Sequence, residues 1–243
     1  MSPAHSIEHA VVIGASGGIG HAFVGALAAR LDVESVTALS RAPARFDHPK
    51  VTTGTLDLLD EDSIAAAAEA CAARPPRWVI CAAGILHEGG LQPEKSLREL
   101  DAQRLARVLA VNAIGPALVI KHFAPLLPRS GRSVIAALSA RVGSIGDNRL
   151  GGWYSYRASK AALNQLIRTA SIELARSRRE AIVVGLHPGT VDTRLSAPFR
   201  GNVAPGKLFT PELSAGRLLD VLEGLPSSAS GRCYAWDGSE VPA

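Results

Sequence analysis

Short, continuous apolar runs alternate with helical stretches along almost the whole chain, and this alternation constrains the fold more than any other feature. Residues 10–14 read AVVIG, 35–40 SVTALS, 78–83 WVICAA, 133–138 SVIAAL and 181–187 AIVVGLH, with further runs at 51–56 and 233–236. A strand without polar alternation is buried on both faces, and such strands joined by helices build a parallel sheet covered on both sides. Between them, helical spacing covers residues 19–29, 63–73 (with Ser63 as N-cap), 101–123, 156–178 and 211–222. The expectation is a single α/β, doubly wound, Rossmann-type domain over residues 1–243. It has about seven parallel strands and helices on both faces.

Composition supports this and excludes other classes. With 47% hydrophobic and 20% charged residues, the chain has enough apolar surface for a large core. Only 5% are aromatic, so Ala, Val, Leu and Ile fill that core. The net charge of +4 is spread out, with Arg30, Arg41, Arg74, Arg77, Arg98 and Arg107 interleaved with acids, and no basic stripe suits a nucleic acid. Cys71, Cys81 and Cys233 are odd in number and lack CxxC spacing, so neither a disulfide framework nor a metal site is expected. No basic-then-apolar leader is visible and no apolar stretch nears the ~20 residues that span a bilayer. These features predict a soluble, cytoplasmic protein with no membrane partner.

The first strand runs into Gly14-Ala15-Ser16-Gly17-Gly18-Ile19-Gly20, which opens the first helix. Glycines at such a turn let the backbone approach a pyrophosphate, which the helix N-terminus attracts. The second strand ends in Ser40-Arg41, where an NAD-preferring chain places an acid. Arg41 is placed to pair with a ribose 2′-phosphate, which favours NADP (NADPH).

Tyr156 and Lys160 stand one helical turn apart on one face. A neighbouring ammonium stabilises phenolate and is expected to lower the tyrosine pKa from about 10. Such a phenol gives a proton to a carbonyl oxygen as hydride reaches the carbon. Tyr154 has no lysine four residues on, so Tyr156 is the candidate acid.

With these residues in place, the sequence resembles the short-chain dehydrogenase/reductase family across essentially its whole length. Gly14, Gly18 and Gly20 match the family's GxxxGxG turn, and Asp57, with Leu58, falls where an acid-containing stretch touches adenine. Ala83 and Gly84 match the last two positions of its Asn-Asn-Ala-Gly motif. Asn112 matches the asparagine of the fourth long helix, and Tyr156 with Lys160 the active-site pair. Pro188, Gly189, Val191 and Thr193 fit a PGxVxT segment that the resemblance assigns to the nicotinamide carboxamide. The stretch 143–157 and the closing Asp237-Gly238 with Val241-Pro242 resemble the sniffer/C-factor-like carbonyl reductases. That subgroup implies NADPH-dependent reduction of a small aldehyde or ketone.

Pro116, four residues after Asn112, has no N–H for the Asn112 carbonyl and is expected to kink the helix. The resemblance gives that carbonyl a water in a proton relay; a bend needed only for packing explains the proline equally well. The family's serine position falls on Ala140 in an ungapped match, so Ser139 is the favoured second donor, with Ser144 as the other choice. Loops at 141–155 and 190–210 are expected to form a substrate loop and a lid, with Val142, Ile145, Leu150, Trp153, Leu195, Phe199, Leu208 and Phe209 as candidate apolar lining. The helices at 101–123 and 156–178 are apolar on more than one face, which predicts a homodimer or homotetramer. An NADP-binding sensing protein with little turnover is the alternative to a reductase.

Overall fold

The computed structural model describes residues 7–42, 44–202 and 206–243. Its elements are β1 (Ile7–Ile13), α1 (Gly18–Ala28), β2 (Val33–Ser40), β3 (Val51–Thr55), α2 (Glu61–Ala70), β4 (Trp78–Cys81), α3 (Ala102–Leu109), α4 (Gly115–Phe123), β5 (Ser133–Leu138), α5 (Tyr154–Leu174), β6 (Ala181–His187), β7 (Thr190–Val191), β8 (Leu208–Phe209), α6 (Pro211–Gly224), β9 (Cys233–Ala235) and β10 (Glu240–Val241). One sheet takes the order β10-β9-β6-β5-β4-β1-β2-β3. Every pairing in it is parallel except β9 with β10. The sheet therefore has eight strands rather than about seven, and its last strand is an antiparallel edge. β7 and β8 form a separate two-stranded ribbon.

The continuous apolar runs follow from this layering. Val12, Ile80, Val134 and Val184 pack with Phe23, Leu27, Leu218 and Leu222 of α1 and α6. Their neighbours Val11, Val79, Ile135 and Val183 pack on the opposite face with Ile64, Phe123, Leu163 and Ile167 of α2, α4 and α5. Successive side chains of a strand alternate faces, so a strand with a core on each side is apolar at most positions, and the buried polar residues His9 and Ser133 sit near the strand starts. Each such side chain contributes roughly 1.5–3 kcal/mol by leaving water.

Three local expectations are corrected. The N-cap of α2 is Asp60, whose carboxylate accepts from the N–H groups of Asp62 and Ser63 at 3.0 and 3.3 Å. Ser63 instead accepts from the Asp57 N–H at 3.1 Å, which fastens the end of β3 to α2. The kink near Pro116 takes the form of a π turn at Ala110–Ile114 between α3 and α4, with the Gly115 N–H donating to the Ala110 carbonyl. Finally, the joined helix Ala102–Leu126 is long and apolar enough to cross a bilayer by length and composition. Over half of its most apolar stretch is buried within the protein, as in the core helix of a globular domain.

Candidate active site

Strand order reverses between β1 and β4, and loops leaving the carboxyl ends there open a crevice, as in other doubly wound sheets. A cleft of about 700 Å³ occupies this place. Gly14, Ser16, Gly18 and Ile19 line it from the first turn, Ser40 and Arg41 from β2, and Asp57 and Leu58 from the loop after β3. Ala83 and Gly84 follow β4, Ser139 follows β5, Tyr156 and Lys160 come from α5, and Pro188 and Thr193 follow β6. Gly20, Asn112, Gly189 and Val191 do not line the cleft. Gly20 and Asn112 instead shape it from behind.

Gly14 has φ of 85°, a left-handed conformation that favours glycine. A Cβ on Gly20 would stand 2.1 Å from the Gly14 carbonyl oxygen, so the turn closes only without a side chain there. Helix α1 then begins with no side-chain cap and no acid in its first turn, leaving its N-terminal amides facing the cleft. At the far end, Arg41 lies 3.9 Å from Glu88, which also pairs with Arg107 at 2.8 Å. Glu88 and Arg107 line the same cleft although neither is among the candidate site residues in the sequence, where Arg107 reads as one of the scattered surface charges and the turn at 88–91 carries no periodic signal. Ser40 donates its hydroxyl to the Ala42 carbonyl at 2.8 Å, and Asp57 accepts the Leu59 N–H at 3.0 Å.

Asn112 is wholly buried. Its Nδ2 donates to the Ile85 carbonyl at 2.8 Å and to Ser159 Oγ at 3.1 Å, and its Oδ1 accepts the Ile85 N–H at 2.8 Å. It therefore ties the loop after β4 to α5. On that helix Tyr156, Lys160 and Asn164 follow at four-residue spacing and share one face. Lys160 Nζ donates to the Leu138 carbonyl at 2.7 Å and stands 5.7 Å from the centroid of the Tyr156 ring. Ser139 donates its hydroxyl to Asn164 Oδ1 at 2.7 Å. Ser144 lies outside the cleft, bonded to the Asp147 N–H and the Ala243 carbonyl.

Burial sets the charge states here. It pushes Lys160 down to about 8 and Tyr156 up to about 12. The expected lowering of the tyrosine by its lysine is thus reversed: loss of water around the phenol raises it. Burial also raises the Cys81 and Cys233 thiols to about 11. His187, desolvated and beside the Arg141 guanidinium, falls to about 4; its buried Nδ1 has no hydrogen-bond partner among the described residues.

Of the candidate apolar residues, Leu195 lines the cleft, and Trp153 packs against Phe199 with ring centroids 5.1 Å apart. Phe209 is buried edge-on against Trp236, whereas Ile145 and Leu150 are exposed. His87 accompanies Leu195 in the cleft and bonds through Nε2 to the carbonyl groups of Arg194 and Leu195 at 3.1 and 3.2 Å.

Known proteins with this arrangement complete the picture. A short chain dehydrogenase family model matches residues 8–203. The chain is 37% identical over 148 residues to the C-signal protein of Myxococcus xanthus, covering 60% of this chain and 83% of that one. It is 31% identical over 230 residues to 1-hydroxy-2-glutathionyl-2-methyl-3-butene dehydrogenase of Rhodococcus sp. (strain AD45), covering 94% and 96%. In three dimensions it is similar to the NADPH-bound carbonyl reductase from chicken fatty liver, with a TM-score of 0.85 and 29% identity over 100% of this chain and 97% of that one. The glycine turn, the Tyr156–Lys160 face and these matches agree: the chain belongs to the short-chain dehydrogenase/reductase family of oxidoreductases.

Proposed function

We propose that this protein is an NADPH-dependent reductase of a small aldehyde or ketone, with Tyr156 as general acid. The observation that carries this reading is that one cleft holds the glycine turn and Arg41 at one end and Tyr156 with Lys160 at the other. The similarity to an NADPH-bound carbonyl reductase supports it. The cleft's residues fit a dinucleotide: uncapped amides of α1 suit a pyrophosphate, and Arg41, with no acid ending β2, suits a 2′-phosphate. Asp57 and Leu58 flank the adenine end, Ala83 and Gly84 the middle, and Pro188 and Thr193 the nicotinamide end, with Gly189 and Val191 supporting that segment from outside the cleft. When bound, NADPH supplies the hydride.

The chain's own groups manage the proton. Tyr156, held up to about 12, keeps its proton at neutral pH and donates it to the carbonyl oxygen. The Lys160 ammonium, fixed by the Leu138 carbonyl, stabilises the phenolate that remains. Ser139 exchanges its bond to Asn164 for one to the substrate oxygen; it lines the cleft and Ser144 does not. Pro116 supplies no N–H to the Asn112 carbonyl, which is then available to hold a relay water. Residues 141–155 serve as substrate loop and 190–210 as lid, of which 203–205 lie outside the described residues. Copies associate as a homodimer or homotetramer, a reading supported by the apolar side chains of Ile114 on the π turn and Leu166 and Ile172 on α5 that this chain leaves exposed.

The test is loss of NADPH absorbance over a panel of aldehydes, ketones and diketones. Turnover with at least one carbonyl is the expected result; NADPH binding with no turnover across the panel would favour a cofactor-binding sensor.

A further inference from the structure

Glu94 is the one carboxylate among the described residues that is buried, with only 2% of its surface exposed. It lies in the loop between β4 and α3, far in sequence from the helix that carries Tyr156. Its carboxylate is nevertheless spent on that helix. Oε2 accepts the Ser155 N–H at 3.1 Å, and Oε1 accepts the Ser155 hydroxyl. Its main-chain carbonyl accepts the Trp153 N–H at 2.5 Å.

These bonds fall where α5 lacks local support. Trp153, at the N-cap position, has φ of 52° and ψ of 42° and makes no side-chain cap bond. That left-handed conformation is unfavourable for a residue with a Cβ and persists only when its surroundings enforce it. The first turn of a helix leaves N–H groups without internal partners, and a carboxylate there is favoured by the helix dipole. Glu94 supplies the missing acceptors from another part of the chain. It also lines a small pocket with Tyr156, together with Leu86, Leu91, Pro93 and Val108. The same loop is held at its start by the bonds between Asn112 and Ile85.

We propose that Glu94 is a positioning residue for Tyr156: by holding Trp153 and Ser155 it fixes the first turn of α5, and with it the direction in which the phenol meets the substrate. This rests on Tyr156 being the proton donor. Glu94 touches neither the cleft nor the reacting atoms. Its effect passes through the helix start, where a shift of about an ångström is enough to slow a proton transfer about 100-fold.

The experiment compares Glu94→Ala and Glu94→Gln with the native full chain in carbonyl reduction, NADPH binding and amide hydrogen exchange. In Glu94→Ala, kcat falls about 10- to 100-fold while the NADPH dissociation constant stays within about 2-fold. Amides of residues 153–157 exchange faster, and those of β5 and β6 do not change. Glu94→Gln, which keeps one carbonyl acceptor, restores kcat to within about 3-fold of native. Native kcat in Glu94→Ala would overturn the proposal. So would a kcat loss that Glu94→Gln fails to rescue, or faster exchange spread through the whole sheet, which marks a purely structural role. If the native protein reduces no carbonyl, the proton-donor reading fails on its own. The exchange pattern still decides whether Glu94 holds this helix start.

Discussion

The side chain of Asn112 pairs with the main chain of Ile85 as a neighbouring strand would, giving and receiving one hydrogen bond, each 2.8 Å long. Its third bond reaches Ser159, so one buried amide joins the loop after β4, the π turn and α5. Asn112→Ala leaves the part-buried Ile85 N–H and carbonyl at the cleft wall without their partner. We expect a loss of about 1–3 kcal/mol in denaturant unfolding, since an unpaired buried group costs about 1–3 kcal/mol and these two are partly open to water. A loss below about 1 kcal/mol would mean that the loop is held by other contacts.

The depressed Lys160 pKa predicts two pH effects. The folded value, about 8, lies below the ordinary 10.5, so the folded state binds fewer protons between these values. Stability therefore rises with pH through that window, by up to about 3 kcal/mol. The half-buried phenol acts oppositely: its folded value near 12 exceeds the ordinary 10, so its contribution is present below pH 10 and lost from 10 to 12. Relative to native, Lys160→Met should be most favoured in stability below pH 8, with the difference shrinking as pH rises to about 10. In the same account, kcat/KM for reduction declines above about pH 8 as the ammonium is lost, while Tyr156 remains protonated. A profile flat through pH 9 would remove the ammonium from the mechanism.

Arg41 directly follows β2, with its side chain 66% exposed and only a 3.9 Å contact to Glu88. It is free to turn to a phosphate. Arg41→Ala should weaken NADPH binding about 10-fold or more and leave NADH nearly unchanged, because a charge-assisted bond of about 1.5–3 kcal/mol is lost only with the former. Equal weakening of both nucleotides, measured by calorimetry, would place the 2′-phosphate elsewhere.

Ser139 can donate one proton, and Asn164 holds it at 2.7 Å. In Ser139→Ala we expect kcat about 100-fold lower, as for loss of one oxyanion donor. Ser144→Ala should leave kcat near native, since that hydroxyl bonds the Asp147 N–H outside the cleft. The reverse ranking would transfer the role to Ser144.

Two strands buried on both faces, β5 and β6, were legible in the sequence to the residue, whereas β1 begins three residues before its apolar run at 10–14 and β4 ends at Cys81, two residues before the run at 78–83 does. β10 was not legible, because a two-residue edge strand carries no periodicity and exists only by turning at Gly238 (φ 82°) to pair with β9. Asp60 displaced Ser63 as the cap because its Oδ1 stands ahead of the first turn and accepts from both the Asp62 and Ser63 N–H groups. The Tyr156–Lys160 face showed in its spacing, and Asn164 could have been found by extending that spacing one more turn. Burial of the phenol could not, since it depends on how distant loops fold over α5. Glu94 and Ser155 are likewise neighbours only after folding, 61 residues apart in sequence.

The proposed reduction stands on Tyr156 giving the proton to the carbonyl oxygen. Tyr156→Phe keeps the ring and removes only the hydroxyl. The direct measurement is its single-turnover rate beside that of the native protein, at saturating NADPH and with the best carbonyl substrate. The expected rate is lower by about 100-fold or more, with NADPH affinity unchanged. A Tyr156→Phe protein that reduces the carbonyl at the native rate would contradict it.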